Sequence, residues 1–145
     1  MQEKNVNHKA ITDVYKNAHI ALQSIADLLP DVDDNSLRAE LKEEYMGYDS
    51  FMNEVSQHMV KNDVEREDIG VMKKVMLWSS IKMKTLMDDS RNQIAEMMIK
   101  GTVMGINELT AMKNESENLD QEVVEFIEKL LSLEEQYEKN LREFL

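Results

Sequence analysis

The chain has 145 residues with no cysteine, one proline and four glycines, and its 17 basic against 29 acidic residues leave a formal charge of −12. That length suits one domain with a sizeable core, so residues 1–145 are expected to fold as a single unit. The absent cysteine excludes disulfides, zinc ribbons, iron–sulfur clusters and thiol nucleophiles, and the acidic balance opposes nucleic-acid binding.

Hydrophobic residues at 42% and charged residues at 32% make a globular balance. No apolar run approaches the ~20 residues of a membrane span, and residues 1–8 lack the apolar stretch of a secretion signal. The expected location is the cytoplasm.

So little proline and glycine leaves few turns for a many-stranded sheet, and the apolar spacing is helical. The first stripe runs Ile11, Val14/Tyr15, Ala18, Leu22, Ile25 and Leu29. Pro30 disfavours helix at the residue before it, and Asp34, Asn35 or Ser36 can cap the next start. The second stripe runs Leu37, Leu41, Tyr45, Tyr48, Phe51/Met52, Val55 and Met59, and breaks near Asn62-Asp63. A shorter amphipathic stretch, about Ile69 to Met87, holds Met72, Val75/Met76, Met83 and Leu86. Ser90 with Gln93 three residues on reads as a capping box.

The fourth stripe runs Ile94, Met97/Met98, Gly101, Met104/Gly105 and Met112. Asn118 and Gln121 offer a cap for the last, which runs Val123/Val124, Ile127, Leu130/Leu131, Tyr137/Glu138, Leu141 and Leu145. The chain therefore reads as all-α, with four segments of bundle length. Five helices can alternate in direction; or the segment at 69–87 is a crossover, so that the two helices flanking it run parallel in a one-crossover bundle.

The stretch from Ile94 to Thr110, IAEMMIKGTVMGINELT, resembles the third bundle helix of small bacterial ferritin-like four-helix-bundle proteins of unknown function. The closing segment, with Glu134-Glu135 before Leu141 and then Phe144-Leu145, is similar to their last helix. The resemblance implies a ferritin-like bundle and no activity.

Ferritin-like di-metal sites take a Glu from each of two helices and a Glu-x-x-His from each of the others. The residues three before His8, His19 and His58 are Asn5, Lys16 and Val55, so no Glu-x-x-His exists. No metal or cofactor is therefore expected. An alternative remains in which His19, Tyr48 and Glu134 fall at nearly one level with Glu44 about one turn away. His19, Glu44 and Glu134 could then hold Fe, Mn or Zn; the plainer reading is a polar layer with Tyr48 or His19 bonded to a glutamate. His58 and Glu108 form a similar pair towards the other end.

Gly101 and Gly105 inside one helix should cost about 2 kcal/mol relative to alanine. Either a neighbouring helix approaches closely, or the missing side chains leave room for a ligand. Many of the twelve methionines lie between Met72 and Met112 and form a pliable filler or partner surface. Between Ile69 and Met87 the charges are Lys73, Lys74, Lys82 and Lys84, with Trp78 beside them. That segment docks on an acidic bundle more readily than on a membrane surface. With no cysteine and no serine placed beside a histidine, nucleophilic catalysis finds no support. The expected protein is a non-catalytic binding or self-association module, a homo-oligomer or the partner of another protein.

Overall fold

The computed structural model describes residues 2–65 and 91–145. The regular structure among them is helical: α1 (Gln2–Leu28), α2 (Asn35–Lys61), α3 (Arg91–Asn114) and α4 (Gln121–Arg142), with short 3-10 turns at Leu29–Asp31 and Ser116–Asn118.

In α1 the buried face is Ile11, Val14, Ala18, Leu22, Ile25 and Leu28, so the stripe closes on Leu28 and leaves Leu29 half-buried. Pro30 sits in the 3-10 turn that ends the helix, as its lack of an N–H requires. Val32 is fully buried in the loop, and Arg38 donates from Nε at 3.0 Å to its carbonyl oxygen. Of the three candidate caps, Asp34 is the one used: its Oδ1 accepts from the Leu37 N–H at 2.9 Å. α2 buries Leu37, Leu41, Glu44, Tyr48, Phe51, Val55 and Met59. It ends at Asn62, and Asp63 then takes a left-handed φ of 55°, a conformation that aspartate tolerates.

Three expectations need correction in α3 and α4. Met104 is 63% exposed instead of lying on the buried face, which runs Ile94, Met97, Met98, Thr102 and Leu109. It follows Thr102 by two residues, about 200° round the helix, and so faces the other way. The residue before α4 is Asp120, while Asn118 only closes the preceding 3-10 turn. Asp120 makes no side-chain cap bond; its backbone N–H donates to Asn7 Oδ1 at 2.8 Å and ties the start of α4 to the start of α1. Leu145 is 58% exposed and does not extend the apolar stripe of α4.

Cross-helix contacts set the directions. Asn7 meets Asp120, so α1 and α4 run parallel. Along α2 and α4, Asn140 donates to Glu40, Tyr48 to Glu134, Lys129 pairs with Glu54 and His58 with Glu122, an antiparallel register. α3 is antiparallel to α4, with Arg91 over the Phe144 ring and Gly105 against Glu134. Hence α2 and α3 are parallel, and Arg91 lies 3.8 Å from Asp34 at their shared starting end. α1 packs mainly on α2 and α3 mainly on α4, and the four enclose one core.

Parallel α2 and α3 are what the crossover arrangement requires, and a five-helix alternation requires the same. The segment that separates the two, residues 69–87, lies outside the described residues. So do its lysines, Trp78 and four of its methionines, and so does the proposed cap at Ser90. No helix among the described residues is long and apolar enough to cross a membrane.

Removing the Asp34 cap tests how α2 is started. Asp34→Ala should lower stability to urea by about 1 kcal/mol, while Asp34→Asn, which keeps a cap oxygen, should retain most of it. Equal losses in both would mean that the Asp34 charge, and not its hydrogen bond, stabilises this end.

Candidate functional site

The helical step places an acidic residue on the buried face twice. Glu44 occupies the position between Leu41 and Tyr48 on α2 and is 0% exposed; Glu134 lies between Leu131 and Tyr137 on α4 and is 1% exposed. A carboxylate so far from water is strongly disfavoured, so the group either finds partners or stays protonated. Tyr48, fully buried beside them, donates its hydroxyl to Glu134 Oε2 at 3.3 Å. The Tyr48 and Tyr137 rings meet edge to face at 5.3 Å. Tyr137 fits because its hydroxyl lies where a methyl on Gly47 would stand, which explains a glycine in the middle of α2.

Burial is the main cause that pushes the Glu44 carboxyl up to about 10. The Glu40 carboxyl one turn earlier adds to this as a proton-sharing neighbour and as a like charge, although neither Glu44 oxygen meets the geometry of a hydrogen bond. Glu134 is held well above the carboxylate range by burial, against the opposing hydrogen bond from Tyr48 and with help from the charge of Glu108. Burial likewise raises Tyr48, and it raises Tyr137 to about 12 with support from the charges of Glu44, Glu40 and Glu43. Burial therefore favours the uncharged form of all four groups in the layer.

The layer opens on one side. Gly105 on α3 faces Glu134, and a Cβ there would stand 2.6 Å from Glu134 Oε1. From α1, Asn17 donates its Nδ2 to the Gly105 carbonyl at 3.2 Å. Both readings of the glycine pair hold for Gly105: a carboxyl approaches it closely, and it borders a cleft. The cleft measures about 220 Å³, and its described lining includes Ile20 and Ala21 from α1, Met98, Gly101, Met104 and Glu108 from α3, and Glu134 at its inner end. Asn17 and Thr102 also line it, and none of its described lining residues is Lys, Arg or His. Asn17 Oδ1 and Glu134 Oε1 are buried and have no hydrogen-bond partner among the described residues.

Of the sequence candidates, the structure joins Glu134 to Tyr48 and places Glu44 one turn along the same helix. It does not bring His19 to them. The His19 ring contacts Gln23 through Nε2 at 3.3 Å and Tyr15 at 6.0 Å between centroids, both on its own helix. No group of three or more His, Asp or Glu among the described residues is arranged to hold a metal ion. The His58–Glu108 pairing is also corrected: the Nδ1 of His58 lies 3.6 Å from Glu122, and its ring packs on Phe126 at 5.3 Å. His58 and Glu122 sit near the end of the α2–α4 register, whereas Glu108 belongs to the cleft. Asn17, Gly47 and Tyr137 were not singled out by the sequence. Asn17 directly precedes the stripe residue Ala18, and Gly47 directly precedes Tyr48; a small or neutral polar residue beside an interior position was the available signal.

The raised Glu44 carboxyl has a stability consequence with a definite sign. The native state keeps a proton that the unfolded chain releases above its ordinary 4.5. This contribution is complete below that pH and is lost as pH climbs towards about 10. Glu44→Gln should therefore flatten the fall of unfolding free energy between about pH 5 and 9 by up to about 1.4 kcal/mol per pH unit. Urea melts across that range measure it, and parallel pH profiles for both proteins would mean that Glu44 is ionised in the fold. Separately, Gly47→Ala should cost about 1 to 2 kcal/mol despite its better helix propensity. In a Tyr137→Phe background most of that cost should vanish, because the hydroxyl that meets the new methyl is gone; an unchanged cost would break the proposed contact.

Comparison with known proteins finds no matching family model, no matching curated protein and no matching solved structure.

Proposed function

We propose that the chain is a ferritin-like bundle that binds a small ligand without catalysing its conversion, with a closed polar layer where a di-metal centre would stand. The observation that carries the reading is the cleft between α1 and α3, which ends on two buried oxygens that nothing in the described structure satisfies. Unpaired buried polar atoms are rare in folded proteins and call for a water, an ion or a ligand.

The ferritin-like part of the proposal draws on the resemblance of residues 94–110 and of the closing segment, with which the parallel α2 and α3 are compatible. Where such bundles carry Glu-x-x-His on two helices, this chain has Glu44-x-x-Gly47 and Glu134-x-x-Tyr137. Tyr137 fills the space that Gly47 vacates, so one side chain covers both altered positions. The arrangement does not favour Fe, Mn or Zn, because no group of three or more His, Asp or Glu converges among the described residues and His19 contacts Gln23 on its own helix.

Small-ligand binding is preferred to self-association because the exposed large apolar side chains among the described residues are scattered. Val6, Met46, Val60, Met104 and Leu145 are spread from α1 to the end of the chain, and single exposed apolar residues are ordinary.

Methionine methyl resonances report on the cleft directly. In protein labelled with ¹³C at the methionine methyls, small organic compounds such as 1-hexanol and hexylammonium should shift Met98 and Met104, which line the cleft. Met59, buried near the end of α2, should stay unmoved. If no compound of this size moves Met98 or Met104, the binding reading fails. Elemental analysis of untagged protein provides the companion result: stoichiometric iron, manganese or zinc would contradict the metal-free part.

A further inference from the structure

The cleft is one-sided in its hydrogen-bonding character. The Gly105 carbonyl can only accept, so Asn17 must present its Nδ2 there, and its Oδ1 is left as an acceptor without a partner. Glu134 engages Tyr48 through Oε2, which leaves Oε1 as the unpartnered atom. Both side chains line the cleft, and they are only 6% and 1% exposed. Thr102 donates its hydroxyl proton to the Met98 carbonyl at 2.7 Å and so offers the cleft lone pairs alone. Glu108 adds a second carboxyl to the same lining, within electrostatic reach of Lys9 on α1. With Glu134 ionised, Oε1 joins Asn17 Oδ1 as an acceptor, and in that form the site asks for donors and for positive charge.

Size narrows the ligand further. A cleft of about 220 Å³ has room for about seven water-sized groups at roughly 30 Å³ each. It is smaller than the pockets that take drug-sized molecules, and Ile20, Ala21, Met98 and Met104 give it an apolar wall.

We propose that the α1–α3 cleft binds a small primary amine in its ammonium form, the nitrogen donating to Asn17 Oδ1 and Glu134 Oε1 and the apolar body lying along Met98 and Met104. This rests on the reading of the bundle as a ligand-binding module and names the ligand class. An ammonium has donors enough for both oxygens, and charge-assisted bonds of this kind are about twice as strong as neutral ones. Glu134 is faced by Tyr48 from α2, with Glu44 on the same helix, by Glu108 from α3 and by the uncharged Asn17 from α1. Burial, the main cause, raises its carboxyl well above the ordinary carboxylate range and favours the protonated form in the free protein. On binding, the ammonium takes the place of that proton, which passes to solvent, so the complex holds one carboxylate and one ammonium.

The test compares three probes of one length, hexylammonium, 1-hexanol and hexanoate, by methionine-methyl shifts and by calorimetry in two buffers of different ionisation enthalpy. Hexylammonium should bind at least about tenfold more tightly than hexanol, with proton release on binding, and hexanoate should not bind. Glu134→Gln should bring the amine down to the affinity of the alcohol and abolish the proton release. Retained binding of hexanol shows that the variant's cleft is intact. Asn17→Leu should weaken the amine more than the alcohol. Hexanol binding as tightly as the amine in the unmodified protein would overturn the ammonium assignment while leaving the binding reading in place. So would amine affinity unchanged by Glu134→Gln. No binding of any probe, with the two oxygens satisfied by ordered water only, would overturn both.

Discussion

Two carboxyl groups lie inside the core of a four-helix bundle, and the cost of keeping them there shapes everything around them. A lone charge buried to this depth is strongly disfavoured, so burial pushes both groups towards the acid form. Neutral carboxyls still need space and partners. Gly105 supplies the space for Glu134, since any side chain there would collide with its Oε1. Tyr48 supplies the partner, and Tyr137 closes the layer only because α2 carries Gly47 opposite its hydroxyl. Two glycines that weaken their helices are thus explained by one buried acid and one buried phenol.

The same constraint separates binding from metal chemistry. Metal ligation requires carboxylates that converge with other donors, and no group of three or more His, Asp or Glu among the described residues is so arranged. Only one atom of the pair, Glu134 Oε1, faces a cleft with a second unpartnered oxygen at hand. The functional proposal grows from this asymmetry. The layer is sealed towards α2 by tyrosines and open between α1 and α3, where the glycines of α3 leave the wall thin.

Much of the fold was legible in the one-dimensional pattern. Pro30 marked the end of α1, Asp34, Asn35 and Ser36 marked the start of α2, and the stripes named most of the core, because each rests on a local rule that neighbours cannot easily override. Glu134 also stood out as an acid on an apolar step, at one level with two candidate partners, Tyr48 and His19, of which Tyr48 is the one bonded to it. What the pattern missed was cross-helix geometry. His19 shares that level but points to Gln23, since a level along the bundle does not fix the direction round a helix. Met104 lay one position from a stripe that Thr102 and Leu109 continue instead. Nothing local could reveal that Asn17 reaches across to the carbonyl of Gly105, 88 residues away, or that a tyrosine hydroxyl occupies the place of a missing methyl on Gly47.

The protonation of the buried pair is the claim on which this account depends, and ¹³C NMR of the side-chain carboxyls of Glu44 and Glu134 measures it most directly. The account predicts that both carboxyl resonances stay at the position of the acid through neutral pH, with Glu44 ionising only near about 10 and Glu134 far above the usual carboxylate range. Titration of both close to the ordinary 4.5 would contradict it. The carboxyls would then be charged in the fold, and the glycines, the tyrosines and the cleft would need another explanation.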